Sequence, residues 1–472
     1  MPAVTNARSQ PMLNGTFLPV DRELDVADLA VTGTLPAGLR GSFLRNGPNA
    51  MFEPKGRYHM FDGDGMLHRV MLDEGRATYR NRWIRTKGLE AEVRAGHSLY
   101  GGMGDLDFPS RKDVGDAGPI KNPANTNIVR HAGRHLALYE AGPAVEVTAD
   151  LDTIGDCDFG GGLPGAVTAH PRIDPRTGEM HAFTYLPWAP FLSYHHIDAQ
   201  GTHTHSIDLQ VPEPVVMHDF VITPEHAVFL ESPLVFDLDA AMNGGSMFRW
   251  DPDHGTRIGI MPLDATSADD VRWIETEDAY VNHFWNGWVE GDTLTFSGST
   301  VRAGAYTSGA DGAMDREGAD AEPGRPVRYT VDLAAGTAKQ EQIDDLGGDF
   351  TRINDAYTGM RSRHHYMGAF SGPADIIGHF DTVVAYDDVA GTRTSWCAGP
   401  GCIVGDASFA ADPDGTAEND GWLLTVVTDR AESRSDLAVI DARDIAAGPV
   451  ARVHLPQRLP FGFHSNWFPA EG

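Results

Sequence analysis

The sequence predicts an antiparallel all-β protein, a propeller or a large sandwich, and three observations carry that prediction. First, 53 glycines and 30 prolines punctuate the chain every few residues, leaving little uninterrupted length for helices. Second, the segments between them are short runs of β-branched and aromatic residues with the alternation of half-buried strands. Third, these runs follow one another as hairpins. The strand–helix–strand alternation that builds a parallel sheet is missing.

In chain order, residues 66–86 (MLHRVMLDEGRATYRNRWIRT) alternate on both sides of an Asp-Glu-Gly turn at 73–75. The run HAVFLE (226–231) and the run TLTFSGS (293–299) read as strands. Residues 328–344 (RYTVDLAAGTAKQEQID) turn at Ala335-Gly336, and WLLTVVTD (422–429) and LAVIDA (437–442) are further strands. No repeat is visible, so a propeller cannot be argued from self-similarity. Residues 304–323, rich in Gly, Ala and Asp, predict a surface loop. No stretch has the composition of a linker, and one domain over 1–472 is expected.

At 472 residues and 41% hydrophobic, the chain can bury a large core, and a closed β architecture can hold that length in one unit. Lys and Arg number 37 against 67 Asp and Glu, a net charge of −30. The negative charge is spread along the chain, so it repels nucleic-acid phosphates and makes nucleic acid a poor partner. The N-terminal MPAVTNARSQPMLNG lacks an apolar core, and no window approaches the ~18 apolar residues of a membrane span. A cytoplasmic protein is expected. Cys157, Cys397 and Cys402 lack the paired spacing of a metal site and read as reduced thiols.

Of the 20 histidines, most need no special role. His195, His196, His203 and His205 lie in a strand-like stretch where alternate residues share one face. Such a row can bind metal, though it more often faces solvent; His131, His135, His364 and His365 read the same way. Four others differ. His170 precedes Pro171, which holds it extended at a strand end. His218 stands in VVMHDFVIT, His283 in YVNHFWNGW and His464 in LPFGFHSNWF. Each is a lone imidazole in apolar surroundings, where it needs a hydrogen-bond partner or a metal. Their separations of 48, 65 and 181 residues place them on different blades of a seven-part propeller. A propeller axis is one of few places where residues so far apart can meet.

At these residues the chain resembles the carotenoid cleavage oxygenase family. The similarity runs nearly end to end, through FLRNGPNAMFEP, YHMFDGDGMLH, PANTNIVRHAGRHLALYEAGP, TAHPRIDPRTGEMHAF, MHDFVITPEHAVFLESPLVFD, HFWNGWVEGD, DFTRIND and LPQRLPFGFHSNW. The resemblance implies a seven-bladed β-propeller, with loops and short helices capping one face over an axial iron site. It implies one Fe(II) per chain, held by His170, His218, His283 and His464, and oxidative cleavage of a C=C bond by O₂ into two carbonyls. Four neutral nitrogens suit Fe, Cu, Zn and Ni alike; the resemblance points to iron. It also implies carboxylates that orient the ligand rings, as outer partners of metal-bound His do. Glu140 matches one of them, and Asp349 and Asp436 stand where the other two are expected, each a methylene shorter than the family's usual Glu. Thr126 matches a position beside an open iron site.

Within that family, enzymes acting on stilbenes or phenylpropenoids carry a Lys before the first carboxylate and a Tyr in the preceding loop. Here Tyr139 precedes Glu140, and Met103 lies near the place of the Tyr. Tyr139, Phe61, Phe284 and Met103 are the expected lining of an apolar tunnel. The implied substrate is a carotenoid or apocarotenoid polyene, with an aryl-alkene as the alternative. YLPWAPFLSY (185–194) is expected to pack inside or to form a lip that touches membranes transiently.

Overall fold

The structure is a computed structural model, and it describes residues 10–103, 106–302, 323–372 and 378–470. The loop expected at 304–323 and most of the N-terminal stretch lie outside the described residues, apart from their last few positions. Seven antiparallel sheets form the blades of a propeller. The hairpins read from sequence are present. Strands Met66–Asp73 and Arg76–Trp83 flank a two-residue turn, Glu74-Gly75, with φ of +47° and +76°. Both central residues are left-handed, which matches the twist of a tight hairpin and explains the glycine. The runs at 226–231, 293–299 and 422–429 fall within strands, and that at 437–442 does so up to Asp441.

The circle is closed from both ends of the chain. The late strand Ser465–Pro469 pairs with Gly41–Arg45 and completes the first blade. The early strand Val31–Gly33 pairs with Pro449–His454 on the outside of the seventh. The core is not one globule but a series of apolar layers, one between each pair of blades. Phe43 and Tyr79 of the first blade meet Trp422 and Val439 of the seventh. Phe220 and Phe229 of the fourth pack on Phe183 and Tyr194 of the third. Tyr329 stacks flat on Phe296 at 4.7 Å within the layer between the fourth and fifth.

Nearer the axis, the innermost strands are joined blade to blade by polar side chains. Asn466 of the first blade donates to Asn127 of the second (3.0 Å), and Asn127 donates to the Ala169 carbonyl beside the third (2.8 Å). Arg172 donates to the Phe220 carbonyl on the fourth (2.8 Å), and Asp219 accepts the Phe284 N–H on the fifth (2.8 Å). Asn282 donates to Asp349 on the sixth (3.2 Å), Arg352 to Asp406 on the seventh (2.8 Å), and the hydroxyls of Ser408 and Ser465 pair at 2.8 Å, back at the first blade. The hydrogen-bonded ring is complete.

Short helices and loops cover the face where these inner strands begin. The longest, Lys87–Ala95, is capped by the Thr86 hydroxyl, which accepts from the Leu89 N–H, and is ended by Gly96 in the left-handed region. No described helix is long and apolar enough to cross a membrane.

Candidate metal centre

Each innermost strand presents a residue at its starting end. They are His464, Thr126, His170, His218, His283, Asp349 and Asp406, in blade order from first to seventh. Three of the histidines stand just outside regular strands: His464 before Ser465–Pro469, His170 before Arg172–Ile173, His218 before Val221–Ile222. His283 lies inside Tyr280–Glu290. Near a propeller axis side chains from separate blades converge, and here the four imidazoles do so.

The ligand nitrogens of His170, His218, His283 and His464 lie within 4.8 Å of one another. His218 Nε2 is 3.1 Å from His283 Nε2, which is 3.2 Å from His464 Nε2. The Nδ1 atoms of the same three rings face carboxylates. His218 Nδ1 meets Glu140, His283 Nδ1 meets Asp349 at 2.9 Å, and His464 Nδ1 meets Asp406 at 3.2 Å. With the ring protons donated to those carboxylates, the Nε2 atoms carry bare lone pairs that point at one another. Such an arrangement is repulsive unless a cation sits among them. His170 Nε2 is buried there without a hydrogen-bond partner, an orphan that costs roughly 1–3 kcal/mol. Nitrogens ~2.1 Å from a single ion and at right angles stand ~3 Å apart, so the residues fit a metal.

The electrostatics agree. Burial and the neighbouring imidazoles hold His170 far below the usual range, and burial takes His464 down to about 3 against the pull of Asp406. Both are neutral donors. At His218 burial is outweighed by Glu140 and the pKa rises, which marks an edge where positive charge is stabilised. Asp406 is held well below the carboxylate range: burial opposes this, but Arg352 and His464 prevail.

Asp436 does not take the position expected of it. Its carboxylate accepts from His454 Nδ1 at 2.8 Å, on the outer part of the seventh blade. Asp406, missed in the sequence, occupies the place instead, in a break between strands Cys402–Val404 and Ser408–Ala411. A local signal was available: Asp349 and Asp406 both follow a glycine at the start of an inner strand, in GGDF and VGDA. Glu140 is fixed by the Tyr185 hydroxyl, which donates to its second oxygen.

Above the centre lies a cavity of about 400 Å³, and His218, His283 and His464 form part of its wall. Tyr139, Phe61 and Met103 line it, and so does Thr126. Phe284 does not. Its ring packs on Phe296 at 5.7 Å in the layer between blades. Successive strand residues face opposite ways, so His283 aimed at the axis sends Phe284 elsewhere. Phe350 takes such a role instead: at φ +56°, a strained conformation for a side-chain-bearing residue, it sets its ring 5.7 Å from His283 and 5.3 Å from His464. The stretch 185–194 is a hairpin in which Leu192 and Tyr194 are fully buried; of its large apolar side chains Trp188 is the one half exposed, at the cavity mouth.

The retinal pigment epithelial membrane protein (RPE65) family profile matches residues 17–469. A Mycobacterium tuberculosis protein named carotenoid cleavage oxygenase is 34% identical over 515 aligned positions, covering 98% of each chain. Carotenoid 9,10(9',10')-cleavage dioxygenase 1 of Phaseolus vulgaris is 33% identical, over 96% of this chain and 88% of its own. Among solved structures, Pseudomonas brassicacearum lignostilbene dioxygenase superposes with a TM-score of 0.90 at 28% identity, covering 100% of both chains. Cobalt-substituted Synechocystis ACO gives 0.86 at 27% identity, covering 98% of this chain and 99% of that one. With a profile that spans almost all of the sequence and full-length relatives at 33–34% identity, the chain belongs to the RPE65 family of carotenoid cleavage oxygenases.

Proposed function

We propose that this protein is an iron(II) dioxygenase that uses O₂ to cleave a C=C bond of a carotenoid or apocarotenoid into two carbonyl products. The observation that carries the reading is the apolar, aromatic-walled cavity that ends on the four-histidine centre. His170, His218, His283 and His464 would hold one Fe(II). Bound there, the ion supplies the site at which O₂ is activated. The chain's own residues do the rest. Glu140, Asp349 and Asp406 fix three rings by accepting their Nδ1 protons. Phe61, Phe350 and Tyr139 offer flat apolar surface to a polyene, whose affinity comes from burial at ~25 cal/mol per Å². Both oxygen atoms end in the products, so the reaction balances without a reductant. O₂ uptake and product mass spectrometry with polyene and stilbene panels test it; no uptake with any polyene would overturn it.

The superposition on a lignostilbene dioxygenase favours a second reading, cleavage of a stilbene or vinyl-phenol. The cavity wall does contain cations where the sequence suggested none: Arg57, Lys55, whose ammonium lies 2.6 Å from Asp107, and the more deeply buried Lys121. The Lys121 ammonium lies 2.5 Å from Asp64 and 2.6 Å from Glu92. Two buried carboxylates already neutralise it, leaving little for a phenolate. A buried phenol without a partner loses roughly 1–3 kcal/mol, so apocarotenoids should exceed 4-hydroxystilbenes in kcat/KM by about tenfold or more. Tyr139→Lys should narrow the ratio. A tenfold preference of the unaltered enzyme for a hydroxystilbene would transfer the assignment to the second reading.

The carboxylates make a paired comparison. Asp349→Asn should weaken iron retention roughly ten- to a hundredfold, the penalty for losing a ligand's outer partner. Asp436→Asn, against His454, should leave it unchanged. Chelator competition reads both.

Around the mouth, Trp188 (50% exposed), Phe108 (49%) and Ile120 (46%) present apolar surface. This rim suits transient contact of a cytoplasmic enzyme with a membrane that holds its substrate. Trp188→Asp with Phe108→Asp should abolish co-sedimentation with neutral phosphatidylcholine vesicles. Undiminished co-sedimentation would place the contact elsewhere.

A further inference from the structure

A second group of metal-type donors lies on the third blade, outside the cavity. His181 on strand Met180–Tyr185, His196 on Leu192–Ile197 and His205 on His203–Asp208 are cross-strand partners, so the three stand in one row across adjacent strands. Glu179 immediately precedes the first of these strands. Oxygen or nitrogen ligand atoms of Glu179, His181 and His196 lie within 4.8 Å of one another. His196 Nε2 is 3.7 Å from the Glu179 carboxylate, beyond hydrogen-bond reach.

The decisive atom is His181 Nε2. The side chain is 1% exposed, and this nitrogen has no hydrogen-bond partner. Native proteins rarely leave such an atom unpaired. Its other nitrogen is tied: Nδ1 lies 2.6 Å from the Tyr194 hydroxyl. His196 repeats the pattern, with Nδ1 2.6 Å from the Thr204 hydroxyl. A metal on Nε2 places the ring proton on Nδ1, where these hydroxyl oxygens accept it. That is the outer partnership metal-bound histidines normally have. Burial lowers His181 to about 4, so the ring is neutral and its lone pair available. Glu179 adds the negative charge, and its carboxylate, 39% exposed, leaves a route in from solvent.

We propose that Glu179, His181 and His196 form a second cation site, for a divalent ion of the zinc or copper kind, that clips together the strands of the third blade. Two imidazoles and a carboxylate suit those ions over Ca²⁺ and Mg²⁺, which prefer oxygen alone. The His205 ring stacks on His196 at 5.3 Å, and its own Nε2 is buried without a partner, so it stands behind the site as a reserve donor. His195 and His203 belong to the opposite face, where both lie within 2.8 Å of the Ser206 hydroxyl.

The test uses the full chain loaded with iron, titrated with ZnCl₂, freed of excess zinc by desalting, and analysed for both metals. The expected result is about one zinc gained per chain with the iron content unchanged. His196→Gln, on a partly exposed side chain, should weaken zinc binding by about a hundredfold, and Glu179→Gln by about tenfold, each with full iron and ordinary turnover. Three results overturn the proposal: no zinc gained beyond the iron, zinc gained only as iron is lost, or unaltered zinc uptake in both variants. The last two place zinc at the four-histidine centre or on scattered surface groups.

Discussion

Replacing His283 with alanine should strip the protein of iron and of turnover together. Four-donor structural zinc sites in peptides bind with roughly 10–16 kcal/mol. A quarter of that is about 3 kcal/mol, more than a hundredfold in affinity. His283 is the extreme case because it neighbours both His218 and His464 at Nε2, and its Nδ1 holds Asp349. Its loss also takes the imidazole partner from that carboxylate, leaving it the Asn282 amide. Metal analysis after dialysis, with O₂ uptake on the same sample, reads the result. Full iron in the variant would show that the histidines do not hold it.

Arg352→Met should produce the largest loss of stability, ~3–5 kcal/mol, the usual consequence of removing one partner of a buried ion pair. Arg352 grips Asp406 with two nitrogens and also donates to Asn466 (3.2 Å) and to the Ser465 carbonyl. Asp406 is 1% exposed. Without the guanidinium its charge is left with His464 and one backbone N–H, and the link between the sixth and seventh blades opens. Arg352→Lys keeps the charge but not the two-pronged geometry, and should fall between. Urea unfolding of the full chain measures the shift; less than ~1 kcal/mol for the methionine variant would mean the ring is not a stabilising element.

Both residues show what the sequence could and could not reveal. Strands were legible because turn residues and two-residue alternation are local, and 226–231 was read to the residue. The four histidines were legible because an imidazole among Phe, Trp and Met is out of place, and because their contexts resemble a known family. Asp406 was passed over although it shares the Gly-Asp strand start of Asp349, because its partnership is made between blades and nothing near it in sequence names His464, 58 residues on. Asp436 was placed by resemblance to the family's pattern, and its membership of the strand Arg434–Asp441 carries it outward to His454. Phe284 misses the cavity for a simpler reason: it follows His283 directly in one strand, and adjacent strand residues face opposite ways. Phe350 depends on a left-handed backbone that no pattern of residue types discloses.

The manner of closure has a bearing on when the protein becomes competent. Synthesis supplies His170, His218 and His283 in turn, but the fourth imidazole arrives with Ser465–Pro469, the strand that seals the first blade against Gly41–Arg45. A chain still being made, with its middle blades already folded, offers three nitrogens around an open gap. Sealing the circle and completing the centre are therefore one event. An unsealed molecule offers at most three of the four nitrogens together, so the last described strand ties completion of the centre to closure of the circle.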